Sequence, residues 1–421
     1  MDEAAAPRIG LALSGGGSRA IAFHLGCLRA LNRLGLLDRV AVVSTVSGGS
    51  VIGAYFHTHR GNFASFEAEI RELLARGLVA PMCRKLFSAL GIKVAAAFIV
   101  ISVVALGAAL IKAILKIVSL ITPRALAAQF ERFELRSPLH RFASRTTLLE
   151  AALDDLLFKG ASLKDLPAHP HLVINATELR TGSAFRFGTK ESGSWRWGKL
   201  HHNDASVAHA VAASAAYPLF LPAFDETLTF LKDGALKNSR VILTDGGIYD
   251  NLGLGCLWPD RSPDVSLNVV PIDTILCCSA GYGLRQDPPS QFIFARMLNV
   301  FSAVFDRAQN AAMHRLHEAQ RSGQIKRFIF PYLGQQDRQL PNPPTNLVRR
   351  EEAHTYPTDF NAMPDEWIER LSLRGEQLTL CLARAYIPDL IREVSLGENG
   401  RHGLRPALGR PDFLDALASL L

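Results

Sequence analysis

Two glycine clusters near the start of the chain hold the groups best placed to do chemistry. Leu11–Ala20 reads Leu-Ala-Leu-Ser-Gly-Gly-Gly-Ser-Arg-Ala, and Ser44–Ser50 reads Ser-Thr-Val-Ser-Gly-Gly-Ser. Each is an apolar run stopped by glycines and followed by helical spacing. A strand, a tight turn and a helix aim backbone N–H groups, or one hydroxyl, at a small space above a sheet edge. The pattern marks Ser47 as a candidate nucleophile. Gly15, Gly16 and Gly17 are a candidate oxyanion hole beside it, and Gly48 offers a further N–H unobstructed by a side chain.

The turn departs from the Gly-x-Ser-x-Gly elbow, because Gly49 fills the second glycine place while Thr45 occupies the first. The early cluster also fits a loose GxGxxA from Gly15 through Gly17 to Ala20. A dinucleotide site wants an acid at the end of the second strand to hold a ribose. Here that strand ends in Ser44, Thr45, Val46 and Ser47, so the nucleotide reading lacks its discriminator. Arg19 reads either as an anion-orienting cation or as a solvated first-turn residue. A third cluster, Asp245-Gly246-Gly247, closes the short β-branched run Val241–Thr244. Taken alone it is a turn signal. At the end of a strand it is also a candidate for the C-terminal sheet edge, where the working groups of open α/β sheets gather.

The elements that must position these groups are legible as patterns. Ile9–Leu13 and Val40–Val46 are buried-strand runs, each followed by a helix: Arg19–Leu34, closed by Gly35, and Ser50–Tyr55. Two strand-to-helix units in succession imply a parallel sheet with crossover helices and an α/β fold. Leu172–Glu178 reads as a strand with Ala184–Phe187 as its hairpin partner, and Ala205–Phe220 as an Ala-rich helix stopped by Pro218. Further on, Thr274–Ser279 and Ile325–Tyr332 read as strands, Ser290–Arg321 and Leu371–Ile387 as helices, and Arg410–Leu421 as one more short helix. Trp195, Trp197 and Trp258 are either interfacial anchors or core packing, the commoner fate of Trp.

Residues 61–145 read as an insertion. Between Leu86 and Ile121 the only charges are Lys93, Lys112 and Lys116, and Val94–Ile111 is an uncharged run of 18 residues. As a helix that run covers about 27 Å, the lower bound for crossing a bilayer. Three readings compete: a single span, a re-entrant or surface-lying helix, and a buried core or oligomer helix. If Ser47 and a partner beyond the segment share one site, a single crossing would separate them. Two crossings need about 40 apolar residues, and 86–121 holds 36 with three lysines. A monotopic hairpin or embedded helix at a membrane surface is therefore expected.

Composition bounds the remainder. The 421 residues are 48% apolar, enough for a large core, and the net charge of +7 suits an anionic lipid surface. No Lys/Arg run with interleaved aromatics is present, which argues against nucleic acid as partner. The six cysteines include no CxxC pair, so buried reduced thiols are expected. The start, Met-Asp-Glu-Ala-Ala-Ala-Pro, lacks a basic and then apolar leader pattern, which points to a cytoplasmic start. The thirteen histidines form no HExxH and no zinc spacing, so no metal or other cofactor is called for.

The three clusters, in this order, resemble the patatin-like phospholipase family. Its Gly-Gly-Gly-x-Arg loop stands here as Gly15-Gly16-Gly17-Ser18-Arg19, its elbow as Thr45-Val46-Ser47-Gly48-Gly49, and its Asp-Gly-Gly element as Asp245-Gly246-Gly247. The Ala213-Ser214-Ala215-Ala216-Tyr217-Pro218 stretch is similar too. The resemblance implies a three-layer α/β/α sandwich over residues 8–400 with a mostly parallel sheet, the apolar insertion lying outside the shared pattern and 401–421 forming a tail. It further implies a lipid acyl hydrolase with a Ser47–Asp245 dyad and a lipid or phospholipid substrate. An aspartate acting without a histidine relay should have its pKa raised by burial. Two rivals stay open. A Ser-His-Asp esterase would draw its histidine from His314, His317, His354 or His402, which follow the acid. A non-enzymatic membrane scaffold would make the glycine turns purely structural.

Overall fold

The computed structural model describes residues 8–119, 143–282 and 292–392. The chain opens with β1 (Ile9–Leu13), α1 (Gly17–Arg33), β2 (Val40–Val46) and α2 (Gly48–Thr58). Then come α3 (Phe63–Arg76), α4 (Val79–Lys85), α5 (Ala89–Ser119) and α6 (Arg145–Leu153). A strand-rich stretch follows: β3 (His171–Glu178), β4 (Ser183–Gly188), β5 (Gly193–Ser194), β6 (Gly198–Leu200), α7 (Val207–Ser214), β7 (Phe224–Lys232) and β8 (Ala235–Asp245). The remainder is α8 (Gly247–Asp250), β9 (Thr274–Cys278), α9 (Ile293–Arg321), β10 (Arg327–Ile329), α10 (Arg350–Ala353) and α11 (Asp365–Tyr386).

All ten strands form one sheet in the order β10-β9-β1-β2-β3-β4-β5-β6-β7-β8. The run from β10 to β3 is parallel. From β3 to β8 every pairing is antiparallel. The sheet is thus mixed rather than mostly parallel. Most of the connections between β3 and β8 are too short for a crossover helix, and a short turn can join only antiparallel neighbours.

Side-chain alternation along the strands builds the layers. Leu11, Leu13, Val43, Ile174, Leu276 and Cys278 point into the principal core, shared with α1, α2 and α11. Their sequence neighbours Ala12, Val42, Val173, Ile275 and Cys277 point the other way, against Leu254, Leu257, Leu316 and Ala319. Period-two burial on both faces is what a sheet covered on each side requires. The closest helix contact is α1 on α11. A β-carbon at Gly26 would lie 1.7 Å from the Ser372 carbonyl oxygen, and one at Gly375 2.2 Å from that of Phe23.

Helix α5 stands apart. Its 31 residues contain no proline, so nothing in the sequence breaks them into a hairpin, and the structure has one continuous helix. The expected re-entrant hairpin is not formed within the described part, and neither is a buried core helix. Only Gly91, Val94 and Ala97 are buried, the last two in a small cluster with Ala143 and Leu148. Phe98, Val103, Leu106, Leu110 and Ile117 are each at least 65% exposed. Among the described residues α5 is the one helix long and apolar enough to cross a membrane.

Other boundaries move for local reasons. Helix α7 ends at Ser214, short of Pro218, and α11 starts at Asp365, a turn and a half before the apolar pattern becomes clear. The expected strand to Tyr332 shrinks to β10 plus a single bridge between Ser279 and Tyr332. Trp258 is buried, whereas Trp195 is 53% exposed. The cysteines are free thiols, with Cys27, Cys256, Cys277 and Cys278 buried and Cys83 exposed. The short helix expected at 410–421 lies outside the described residues.

One half-buried ion network ties α6, α7 and β7 together. His209 Nε2 lies 2.9 Å from Glu226 and Nδ1 3.4 Å from Glu150. Burial opposes charging of this imidazole, but hydrogen bonds and charge from Glu150 and Glu226 outweigh it and raise its pKa to about 10. A pKa raised above the unfolded value gives stability that is complete below about pH 6.5 and is lost as pH climbs through about 10. The melting temperature is therefore expected to fall between those pH values. His209→Ala should flatten that fall and cost about 3 kcal/mol at neutral pH. A variant melting curve as pH-dependent as the parent's would refute the linkage.

Candidate active site

The sheet register brings the three sequence clusters together. Leu13 pairs with Thr45, so the glycine loop two residues past β1 lies beside Ser47, two residues past Thr45. Strand β3 does the rest. Its edge away from β4 is shared end to end: Val46 of β2 pairs with Asn175, and Asp245 of β8 pairs with the next residue, Ala176. Strand β2 runs parallel to β3 and β8 antiparallel, so their C-terminal ends meet head to head. Ser47 follows one end and Asp245 is the other.

The side chains complete this contact. The Ser47 hydroxyl lies near enough to the Asp245 carboxylate to favour its charged form. Both residues are buried, Ser47 being 8% exposed and Asp245 5%. Asp245 Oδ1 accepts the Gly247 N–H at 2.7 Å. Burial disfavours the charged carboxylate and lifts its pKa to about 6, against the lowering effect of the Gly247 N–H and the Ser47 hydroxyl. Ser47 has φ 50° and ψ −120°, a conformation that side chains rarely adopt. Strain of this kind persists where surrounding contacts hold it in place.

Those contacts come largely from residues that the sequence patterns did not single out. Ser214, at the end of α7, accepts the Ser47 N–H at 2.9 Å and bonds the Ser50 hydroxyl at 2.8 Å. The same helix end accepts the Gly246 N–H at Ser214 O and the Asp245 N–H at Ala216 O, each at 3.1 Å. One helix terminus thus fixes both sides of the dyad. Asn175 donates to Ser44 Oγ at 2.9 Å and Thr45 O at 3.0 Å, bracing β2 below the turn. The one available clue was a lone hydroxyl in an alanine run, Ala213-Ser214-Ala215.

Thr45, the non-glycine in the elbow, fits for a visible reason. A β-carbon at Gly53 would lie 2.5 Å from Thr45 Cγ2, so the missing side chain one turn into α2 makes the room. Thr45 Oγ1 accepts from Ser50 at 3.1 Å and donates to Val173 O at 3.3 Å.

The glycine loop divides by role. Gly16 and Gly17 adopt φ 143° and 59°, open to glycine alone at little cost. Their N–H groups, with that of Gly48, sit at the first turns of α1 and α2, where a helix offers no internal acceptor. None of the three is paired with another backbone group among the described residues. Gly15 is different: its N–H donates to Asn251 O at 3.1 Å. It cannot serve as a free donor, and the expectation for Gly15 is corrected to a packing role. A β-carbon there would meet Asn251 Oδ1 at 2.3 Å and Ser47 Cβ at 3.3 Å.

Arg19 is neither solvated nor turned toward an incoming anion. It is 3% exposed, donating from Nε to Ala280 O and from Nη1 to Tyr356 O, both at 3.0 Å, under the Tyr282 ring. It anchors the start of α1 to the segments at 280 and 356. The described histidines do not reach the dyad. His314 lies along α9 facing Glu318, His317 packs on Phe328, and His354 bonds Arg350 O. His402 lies outside the described residues.

The glycine packing gives a sharp prediction. A β-carbon at Gly48 would lie 2.2 Å from Gly17 O, so Gly48→Ala must push the elbow and the loop apart. Esterase turnover in that variant is expected to drop by about a hundredfold or more, the scale of a lost oxyanion donor. Rates within twofold of the parent would contradict the packing argument.

A serine on a strained strand-to-helix turn, beside a buried carboxylate and backbone N–H groups unpaired with other backbone among the described residues, has the make-up of an acyl hydrolase site. The sequence pattern of the patatin-like phospholipase family matches residues 11–258, and the chain belongs to that family of lipid acyl hydrolases. Comparison with curated protein sequences finds no match. Among solved structures, human GIVD cytosolic phospholipase A2 is similar with a TM-score of 0.51 at 13% identity, over 93% of this chain and 62% of that one. VipD from Legionella pneumophila gives a TM-score of 0.38 at 14% identity, over 90% of this chain and 67% of that one. At these identities the likeness to the human enzyme is one of fold.

Proposed function

We propose that the chain hydrolyses carboxylic ester bonds of phospholipids at a membrane surface, with Ser47 as nucleophile and Asp245 as general base. The observation that carries this reading is the shared edge of β3, where β2 and β8 meet end to end and bring Ser47 to the buried Asp245 carboxylate. A serine hydroxyl attacks poorly until a base accepts its proton. With a pKa of about 6, Asp245 is mostly ionised at pH 7 yet far more basic than a solvated aspartate. Ser47 Oγ bonds to the ester carbonyl carbon as its proton passes to Asp245. The developing oxyanion takes the N–H groups of Gly16, Gly17 and Gly48. On collapse the ester C–O bond breaks, and protonated Asp245 returns the proton to the departing alkoxide. Water then attacks the acyl-serine with Asp245 again as base, releasing the fatty acid and restoring Ser47.

Membrane action rests on α5. The chain beyond it, residues 120–142, includes Arg124, Glu131, Arg132, Glu134, Arg136 and Arg141, and so offers no second apolar run for a return crossing. The dyad joins residues from before and after α5, so both sides of the segment belong to one compartment. A helix lying in the headgroup region meets both conditions.

A fluorophosphonate probe tests the chemistry directly. The purified protein should be labelled at Ser47, the Ser47→Ala variant should not, and a phospholipid panel should yield free fatty acid only with the parent. Equal labelling of both proteins, or fatty-acid release that survives Ser47→Ala, would reject the dyad.

A further inference from the structure

A cavity of about 470 Å³ borders the Asp245 loop, with Gly247 and Asn251 in its lining. These two residues link it to the dyad: Gly247 donates to Asp245 Oδ1, and Asn251 Oδ1 faces Gly15. Three arginines line it, Arg186 from β4, Arg261, and Arg315 from α9, together with Trp195, Trp258 and Tyr249. We propose that this cavity binds the phosphate of the lipid headgroup, with Arg186 as its principal ligand, while the ester lies against Ser47. The placement of the lipid rests on the hydrolase reading above.

The argument begins with Arg186. It is 9% exposed, and its Nε is buried with no hydrogen-bond partner. A buried, unpaired guanidinium N–H carries a desolvation cost that an anion in the cavity would relieve. Its neighbours do not supply that partner. Arg186 Nη2 and Asp250 Oδ2 converge on the bare α-carbon of Gly255. The Asp250 carboxylate is already engaged by the N–H groups of Leu252 and Gly253, at 3.2 and 3.1 Å, and by that of Gly255.

The other two arginines shape the field and the walls. Arg261 donates to the carbonyls of Cys256 and Asn268, at 2.7 and 3.3 Å, and to that of Leu267. Burial and the nearby charge of Arg186 lower its pKa to about 10, the response of two like charges held close. Arg315 is paired with Asp260 at 2.7 Å and lies 4.4 Å from the Trp258 ring centre. The cavity therefore sets three guanidiniums against two carboxylates, Asp250 and Asp260. Planar guanidinium forks match the oxygens of a tetrahedral phosphate better than they match a neutral ester or a cation. The cavity adjoins the dyad through Gly247, and a glycerophospholipid carries its phosphate only a few covalent bonds from the ester carbonyls. Arg19 is buried and directs two of its guanidinium nitrogens to the Ala280 and Tyr356 carbonyls.

The test compares a short-chain phosphatidylglycerol with a monoacylglycerol of the same acyl chain, which lacks phosphate, in the full chain and in Arg186→Gln and Arg186→Lys. The ratio of kcat/KM for the phospholipid to that for the monoacylglycerol is expected to fall about tenfold or more in Arg186→Gln, mostly through KM. Arg186→Lys, which keeps the charge without the fork, should fall less. An unchanged ratio would overturn the proposal even if both rates drop, because that is what a purely structural role predicts. A binding arm separates this outcome from failure of the hydrolase reading. Trp195 and Trp258 line the cavity, so sn-glycerol 3-phosphate and inorganic phosphate should each perturb tryptophan fluorescence in the parent and not in Arg186→Gln. Competitive inhibition of monoacylglycerol hydrolysis by glycerol phosphate supports a headgroup site. Phosphate that binds equally to parent and variant overturns it. Binding that needs Arg186 in a chain that hydrolyses nothing would retain the anion site and remove the hydrolase.

Discussion

Ser47→Ala is expected to lower kcat/KM for phospholipid esters by about 10⁴-fold or more, with Asp245→Asn within roughly tenfold of it. Removing either member of a unit in which one group activates the other costs nearly the whole effect, so the double variant should be little worse than either single one. The parent's log kcat/KM should rise with unit slope below about pH 6 and level off above, because burial puts the Asp245 pKa at about 6 and the base works only when ionised. That rise should vanish in Asp245→Asn. The same variant is expected to melt above the parent at neutral pH, since a charge that burial disfavours is replaced by a neutral amide. A pH profile still breaking near 6 in Asp245→Asn, measured by stopped assay on a phospholipid, would assign the titrating group elsewhere.

The second large effect concerns α5. Phe98, Val103, Leu106 and Leu110 are 69%, 66%, 74% and 65% exposed, an apolar surface with Lys93, Lys112 and Lys116 along the same helix. Burying a large apolar side chain contributes about 1.5–3 kcal/mol. Replacing these four residues by Gln should therefore weaken partition into lipid by on the order of 6 kcal/mol, or about 10⁴-fold. Co-sedimentation with vesicles containing phosphatidylglycerol reads this directly. The parent should pellet and the variant stay in solution, with hydrolysis of a water-soluble ester retained. A parent that stays in solution with or without vesicles would remove the membrane role. Light scattering would then show whether a second copy covers the helix instead.

The site was readable in outline because each of its parts is local. Gly15-Gly16-Gly17, Ser47-Gly48 and Asp245-Gly246-Gly247 each end a strand, and a strand ending in glycine is visible in a few residues. The supports were not readable, because they come from distant segments. Ser214 lies 167 residues from the N–H it accepts, and Asn175 lies 131 from Ser44. Arg19 shows the same limit. Its position in the loop allowed an anion-orienting cation or a solvated first-turn residue, and its actual partners Ala280 and Tyr356 lie 261 and 337 residues away. The strand-rich half divides differently. Asp233-Gly234 between β7 and β8 is a strong local signal for a two-residue hairpin, whereas the pairing of these strands with β6 and β3 depends on distant residues.

Residue order alone determined which strands could be buried on both faces, where glycines must stop them, and that 94–111 is an uncharged apolar run of membrane-spanning length; the unbroken helix over it came from the structure. These follow from local sterics and from the periodicity of side-chain burial. Tertiary structure decided that β2 and β8 share one edge of β3 and meet end to end at Asn175 and Ala176. It also decided that Gly15 is occupied by Asn251, and that α5 finds almost nothing to cover it among the described residues. Register, hydrogen-bond partnership and exposure depend on groups brought close from far along the chain. No stretch of sequence holds both halves of such a pair.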